Sequence, residues 1–330
     1  MEFGKALILA GSGLDDRPWP AAPGVPKHLF PVANRPILFH NLDALRSAGV
    51  RAATILVDPG GAQAMARAVG HGDDWDLSLT VGEWHPSVGL RGALAAGRRF
   101  LGDEPVLVQR GDAVLRGCMD SHFSVFTRER LDAMALRLTA RRRPSTPAPA
   151  PGYLFSPRGV SILLDGPKAA LSPLAGIRAQ GGRVRVEHVD GVLPCHGDQD
   201  SLLETNRRLL ERLEASYEDH SVEDCVIQGP VEIHPTARVR RSTLRGPLII
   251  GPGADIAEAY IGPYTSIGAG VEIEGTEIEY SIVLPAARLR YAGTRLESSV
   301  IGRGASVTRS FQRPGALRLA LGEGSEVTLA

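Results

Sequence analysis

The chain has 330 residues, 43% of them hydrophobic, enough for one large α/β core and a smaller second one. Its 37 basic and 37 acidic residues cancel, which argues against nucleic acid as a partner. No apolar run reaches the roughly 18–20 residues of a membrane span. No basic-plus-apolar leader opens the chain, and three cysteines without a C-x-x-C pair fit a reduced cytoplasm rather than structural zinc.

Ala6 to Ala10 reads as a buried strand that breaks into a loop containing Gly11, Ser12 and Gly13. Glycines after a strand let backbone N–H groups approach phosphate oxygens, and Lys27 then supplies a point charge. Lysine is scarce: only Lys5, Lys27 and Lys168 among the 37 basic residues. A lysine kept at position 27 points to a site that needs a compact ammonium rather than a planar fork. Ile37–Ser47 carries a helical stripe of Ile37, Leu38, Leu42 and Leu45, interrupted by Asn41 and ending at Gly49. Ala52–Val57 is the next strand and Ala62–Val69 the next helix. Residues 77–81 form a third strand, 92–100 a helix and 105–108 a buried strand. This alternation predicts a mainly parallel sheet covered on both faces. Ligands of such sheets bind beyond the carboxyl ends of the strands, where the glycine loop, residues 86–90 and Gly111-Asp112 fall. The Asp112 carboxylate at a strand end reads either as a cleft ligand or as a cap on the next segment.

Residues 141–151, RRRPSTPAPAP, are a low-complexity connector whose arginines read as a solvated charge run. Cys195 and His196 are neighbours, and on a strand their side chains point to opposite faces, which does not suit a nucleophile–base couple. Residues 201–215 are helical, with Asp200 or Ser201 as cap and Glu204 near the capping-box position.

The C-terminal third repeats. Ile227, Leu244, Ile261 and Ile278 are spaced evenly, as are Ile233, Ile250, Ile267, Leu284 and Ile301, and a third row runs Val239, Ile256, Ile273, Arg290 (an exception) and Val307. Three apolar positions per coil describe a parallel β-helix of triangular section, giving domains at 1–219 and 220–330. An acyltransferase site on such a helix needs a base, and within the repeating rows from Ile227 on only His234 is a histidine. An open end or flat face predicts a homo-oligomer or a protein partner.

Residues 5–36 resemble the signature of sugar-1-phosphate nucleotidyltransferases, L-A-G-G-x-G-T-R-L-R-P followed by P-K-x-L-x-P-V-x-N-x-P. Pro26, Lys27, Leu29, Pro31, Val32, Asn34 and Pro36 meet the second half. Leu9, Ala10, Gly11, Gly13, Arg17 and Pro18 meet the first with one residue deleted, which puts Asp15 at the family's catalytic arginine. The whole chain is most similar to the long-form glucose-1-phosphate thymidylyltransferases of that family. The resemblance implies a Rossmann-like, mixed or mainly parallel sheet followed by a left-handed β-helix. It further implies Lys27 on phosphate, Arg17 as a catalytic residue partly replacing the missing arginine two positions upstream, Gly11, Ser12, Gly13, Trp84 and Gly89 around the nucleotide, and Mg²⁺ on Asp112. The departures are Asp15, Arg91, Arg110 for leucine before Gly111-Asp112, and Cys195 at a second metal aspartate. Trp84 stands where the family reads the base with glutamine, and the family's Y-G and E-K-P sugar motifs are absent. Three readings follow: a member that binds a nucleotide or nucleotide sugar with weak or lost transfer activity, an active divergent enzyme, or a β-helix acyltransferase.

Overall fold

The computed structural model describes residues 3–11, 26–116, 119–138, 150–166, 172–192, 199–218 and 221–309. Its larger sheet is built from β1 (Lys5–Ala10), β2 (Ala52–Val57), β3 (Ser78–Glu83), β4 (Val106–Arg110), β5 (Val114–Arg116), β6 (Ala133–Leu138), β7 (Gly152–Phe155) and β8 (Val184–Val192). The order across the sheet is β3-β2-β1-β4-β7-β6-β8-β5. Strands β3, β2, β1 and β4 are parallel neighbours, as are β6 and β8. The mainly parallel expectation needs one refinement: β7 runs antiparallel between β4 and β6, and β5 antiparallel on β8. Residues 152–155 therefore mark a reversal in mid-sheet, which a strand-length apolar run cannot announce.

Strand β1 shows why the sheet is covered twice. Ala6, Ile8 and Ala10 join one buried cluster with α1 (Ile37–Ser47), α2 (Ala62–Val69) and α4 (Met119–Arg128). Leu7, on the other side of the pleat, joins a second cluster with α3 (Gly89–Ala96), α5 (Pro157–Asp165) and α6 (Pro173–Ala179). The single helix expected over 92–100 begins earlier and breaks at Gly97, with a short turn at Arg98–Leu101 following. Helix α7 spans Gln199–Leu210 rather than 201–215, so Asp200 lies within its first turn, and Glu204 turns to Arg207 and Arg208 instead of the helix N-terminus.

Beyond residue 221 come three parallel sheets of six, five and five short strands, the faces of the left-handed β-helix. Val239, Ile256 and Ile273 stack in register with their side chains buried. The next coil corrects the row read from spacing. Ile267 pairs with Val283 and Ile273 with Leu289, one residue earlier than a constant period allows. A slip of one residue exchanges the faces of a strand. Val283 and Leu289 therefore point into the β-helix, Arg290 points out to Glu272, and Leu284 leaves the interior row. The following step is one residue longer than the constant period, with Ile278 paired to Leu296, Val283 to Ile301 and Leu289 to Val307, which returns Ile301 and Val307 to the rows read from spacing.

Leu284 and Ile282 instead join Phe30, Val32, Ile37, Val114, Leu202 and Leu203 in an apolar cluster where the two domains and α7 meet. Polar bonds fix this junction. Residues 31–36 form a tight hairpin with Ala33 and Asn34 at positive φ, a turn that suits asparagine. Ala33 N–H donates to Asn206 Oδ1 at 2.8 Å, Ser266 Oγ donates to the same oxygen at 2.6 Å, and Asn206 Nδ2 donates to Tyr264 O at 2.9 Å. Asn34 Nδ2 donates to Ile267 O at 2.6 Å. The β-helix thus braces the segment that carries Lys27.

Candidate functional site

The carboxyl ends of the parallel neighbours β1, β2, β3 and β4 lie at one edge of the sheet, where the candidate cleft falls. At its floor Gly11 follows β1, and a Cβ there would lie 2.6 Å from Pro86 Cγ, 2.9 Å from Trp84 Cζ3 and 3.1 Å from Asp58 Oδ1. Only glycine fits at that packing, because the proline ring cannot give way. After β4 the chain turns through Gly111, where a Cβ would press on His28 Cδ2 at 3.0 Å. Lys27 opens the short turn Lys27–Leu29 on the facing side.

Lys27 and Asp112, remote in sequence, come together with Nζ 3.9 Å from Oδ2. The dominant partner of Asp112 is a third residue. Arg110 donates from Nε to Oδ1 at 2.9 Å and from Nη2 to Oδ2 at 2.7 Å, a bidentate fork. Positions 110 and 112 are two apart at a strand end and so share a side. The Asp112 side chain is 8% exposed, against 32% for Arg110 and 21% for Lys27, so the cations stand nearer to solvent than the carboxylate they hold. Burial pushes the Asp112 carboxyl up, but the Arg110 hydrogen bonds and charge, with His28 and Lys27, leave it below the usual carboxylate range.

The frame of this turn is a finding that sequence reasoning missed. Asn41, the polar interruption of the α1 stripe, is fully buried and donates from Nδ2 to Arg110 O and to Ala113 O, both at 3.0 Å. Gln109 Nε2 donates to Ala113 O at 2.6 Å. Asn41 was the available signal: a polar side chain on an apolar face has a reason to be there. His28 is buried without a hydrogen-bond partner for Nδ1, and burial lowers its pKa from 6.5 to about 4 despite the opposing charges of Asp112 and Asp58. It is a neutral imidazole at pH 7.

Trp84 sits beside Gly11, half-buried, and its Nε1 donates to Gly89 O at 3.3 Å. The indole's one donor is engaged by the backbone, and the side chain packs against the cluster that holds Leu7 and Leu94. Gly89 begins α3 at φ +62°. Arg91, a departure from the family at the nucleotide side, turns away to donate to Leu164 O and, at 2.5 Å, to Gly166 O, closing the end of α5. Ser12, Gly13, Asp15, Arg17 and Cys195 lie outside the described residues. The Mg²⁺ expected on Asp112 meets a poor donor set: both oxygens hold a guanidinium, and no cluster of three or more metal-capable side chains exists among the described residues. As arranged, these residues do not fit a hard cation that demands oxygen ligands. In the β-helix, His234 bonds Thr236 Oγ1 at 2.9 Å within its own turn. No described helix is long and apolar enough to cross a membrane.

Against known proteins, the model of the Nucleotidyl transferase family matches residues 5–147. The chain is 31% identical to a glucose-1-phosphate thymidylyltransferase of Streptomyces antibioticus, over 98% of this chain and 99% of the relative. It is similar at 25% identity to the low-salt glycan biosynthesis nucleotidyltransferase Agl11 of Haloferax volcanii, over 98% and 100%. A solved structure assigned as a glucose-1-phosphate thymidylyltransferase from Bacillus anthracis, in complex with a sucrose, superposes with TM-score 0.54 at 20% identity, over 64% of this chain and 97% of that one.

Proposed function

The chain belongs to the sugar-1-phosphate nucleotidyltransferase family, and on that premise we propose that it binds a nucleotide or nucleotide sugar in the cleft above Gly11 with little or no transfer activity. The reaction of such enzymes is attack by a sugar phosphate on an α-phosphorus with release of pyrophosphate. It depends on alignment and on neutralising charge that develops at the phosphates. The observation that carries the proposal is the Arg110 fork on Asp112, which engages the carboxylate that the resemblance assigns to Mg²⁺. The binding half is supported by an ammonium at Lys27, a position at Gly11 that only glycine fits, and an indole at Trp84 beside it.

A thermal-shift panel of nucleotides and nucleotide sugars tests the binding half. At least one should raise the melting temperature of the full chain, and Lys27→Ala should lose most of the rise. A flat panel removes the reading. Full-length similarity to named thymidylyltransferases favours the second reading, an active divergent enzyme. Turnover decides between the two. We further propose self-association through the β-helix, which light scattering at the monomer mass of 35.1 kDa would remove.

A further inference from the structure

We propose that Arg110 is a built-in cation standing in place of the divalent metal, so that the cleft takes the diphosphate of a nucleoside diphosphate sugar without Mg²⁺. The inference rests on the reading that such ligands bind in this cleft, and it adds how their charge is met.

The geometry of four side chains supports it. Asp112 is buried and gives both oxygens to one guanidinium at 2.9 and 2.7 Å, an arrangement that satisfies a carboxylate in the manner a metal does. Lys27 Nζ stands 3.9 Å from the same carboxylate. His28 is neutral, so Lys27, Arg110 and Asp112 together carry one net positive charge, and the Asp58 carboxylate beside Gly11 is the further charge that acts on His28. A phosphate entering from solvent meets the two cations before the carboxylate, because both are more exposed than Asp112. The guanidinium cannot lose its proton at working pH, and its planar fork suits phosphate as well as carboxylate. It is also held in advance. Asn41 grips the carbonyls of Arg110 and Ala113, and Gln109 grips Ala113 again, so the turn that aims Arg110 and Asp112 has little freedom. A Mg²⁺ ion would have to expel a fixed charge from a buried partner, whereas a diphosphate has only to approach it.

Isothermal titration of the full chain with UDP-, dTDP-, GDP- and ADP-glucose, in excess Mg²⁺ and separately in excess EDTA, tests this. The expected result is one preferred nucleotide sugar whose Kd agrees between the two conditions within about twofold. Arg110→Leu is expected to weaken its metal-free binding by about tenfold or more, the scale of a lost charged hydrogen bond, and to recover part of it when Mg²⁺ is added. Wild-type binding seen only with Mg²⁺ overturns the inference and leaves the binding reading intact. Equal affinity of Arg110→Leu and wild type in EDTA also overturns it. Binding of none of the four in either condition removes the reading and the inference together. Should Arg110→Leu fail to fold, the wild-type pair of titrations decides alone.

Discussion

The β-helix and the cleft solve opposite problems with charge. In the β-helix the interior is mainly apolar, with small hydroxyls such as Thr265 among the aliphatic rows. The charges lie outside as pairs between coils, such as Arg240–Asp255 at 2.8 Å, Arg241–Glu258 at 2.9 Å and Arg295–Glu277 at 3.0 Å, with Arg240 Nε the one charged-group atom there buried without a partner among the described residues. In the cleft a carboxylate and an imidazole are buried, and two buried polar atoms, His28 Nδ1 and Asn41 Oδ1, have no partner. A stacked repeat draws stability from many equivalent contacts and absorbs a change of period. A binding cleft depends on individual side chains, and buried charge there stays tolerable only while its partners remain.

The largest effect is expected in the interior of the β-helix. Ile256→Ala, at a fully buried stacked position, should cost about 4 kcal/mol in urea unfolding. A loss below about 1 kcal/mol would mean that the coils do not share one core. The cleft should answer to acid instead. The folded chain holds His28 at about 4 against 6.5 unfolded, so below pH 6.5 the unfolded chain takes up a proton that the native state refuses. That contribution leaves stability intact above pH 6.5 and removes about 3 kcal/mol as the pH falls through 4. His28→Leu should flatten this part of the stability–pH curve; an unchanged slope would assign the loss elsewhere.

The junction should lie between the two extremes. Asn206→Ala strands Ala33 N–H, Ser266 Oγ and Tyr264 O, and should cost about 2 kcal/mol. Nucleotide-sugar affinity should weaken with it, because the hairpin behind Lys27 loses its brace. The smallest effect is expected on the outer face. Arg295→Ala removes two surface pairs, with Glu277 and Glu279, and a contact over the Tyr260 ring, and should change stability by less than about 1 kcal/mol, and less still in high salt.

The same contrast governs what could be read from the residues. The β-helix was legible because each coil repeats the burial rule of its neighbours. Spacing alone missed the short coil: Arg290 looked like an exception and Leu284 like a member of the interior row, while register puts Leu289 and Val283 inside. No residue type marks the missing position, since Leu284 is as apolar as Val283 and differs only in which surface it meets. In the cleft, strand-end placement put Asp112 on the side of the glycine loop, while the approach of Lys27 to within 3.9 Å of it was not legible, because Lys27 lies in a turn remote in sequence. Neither was the Arg110 fork, because position 110 stood out only as a departure from a pattern, with no sign that its charge would fold back on Asp112. Arg91 looked like an intruder at the nucleotide and proves to serve α5, since a long side chain reaches beyond its neighbours in sequence.

On the proposed function, the cleft binds a nucleotide sugar without effective transfer chemistry. Pyrophosphate release by the full chain, with Mg²⁺ and a matrix of common nucleoside triphosphates and sugar 1-phosphates, tests it most directly. The account predicts release at background for every pair, from protein that still binds a nucleotide sugar. Sustained turnover with any pair, abolished by Lys27→Ala or Asp112→Asn, would contradict it.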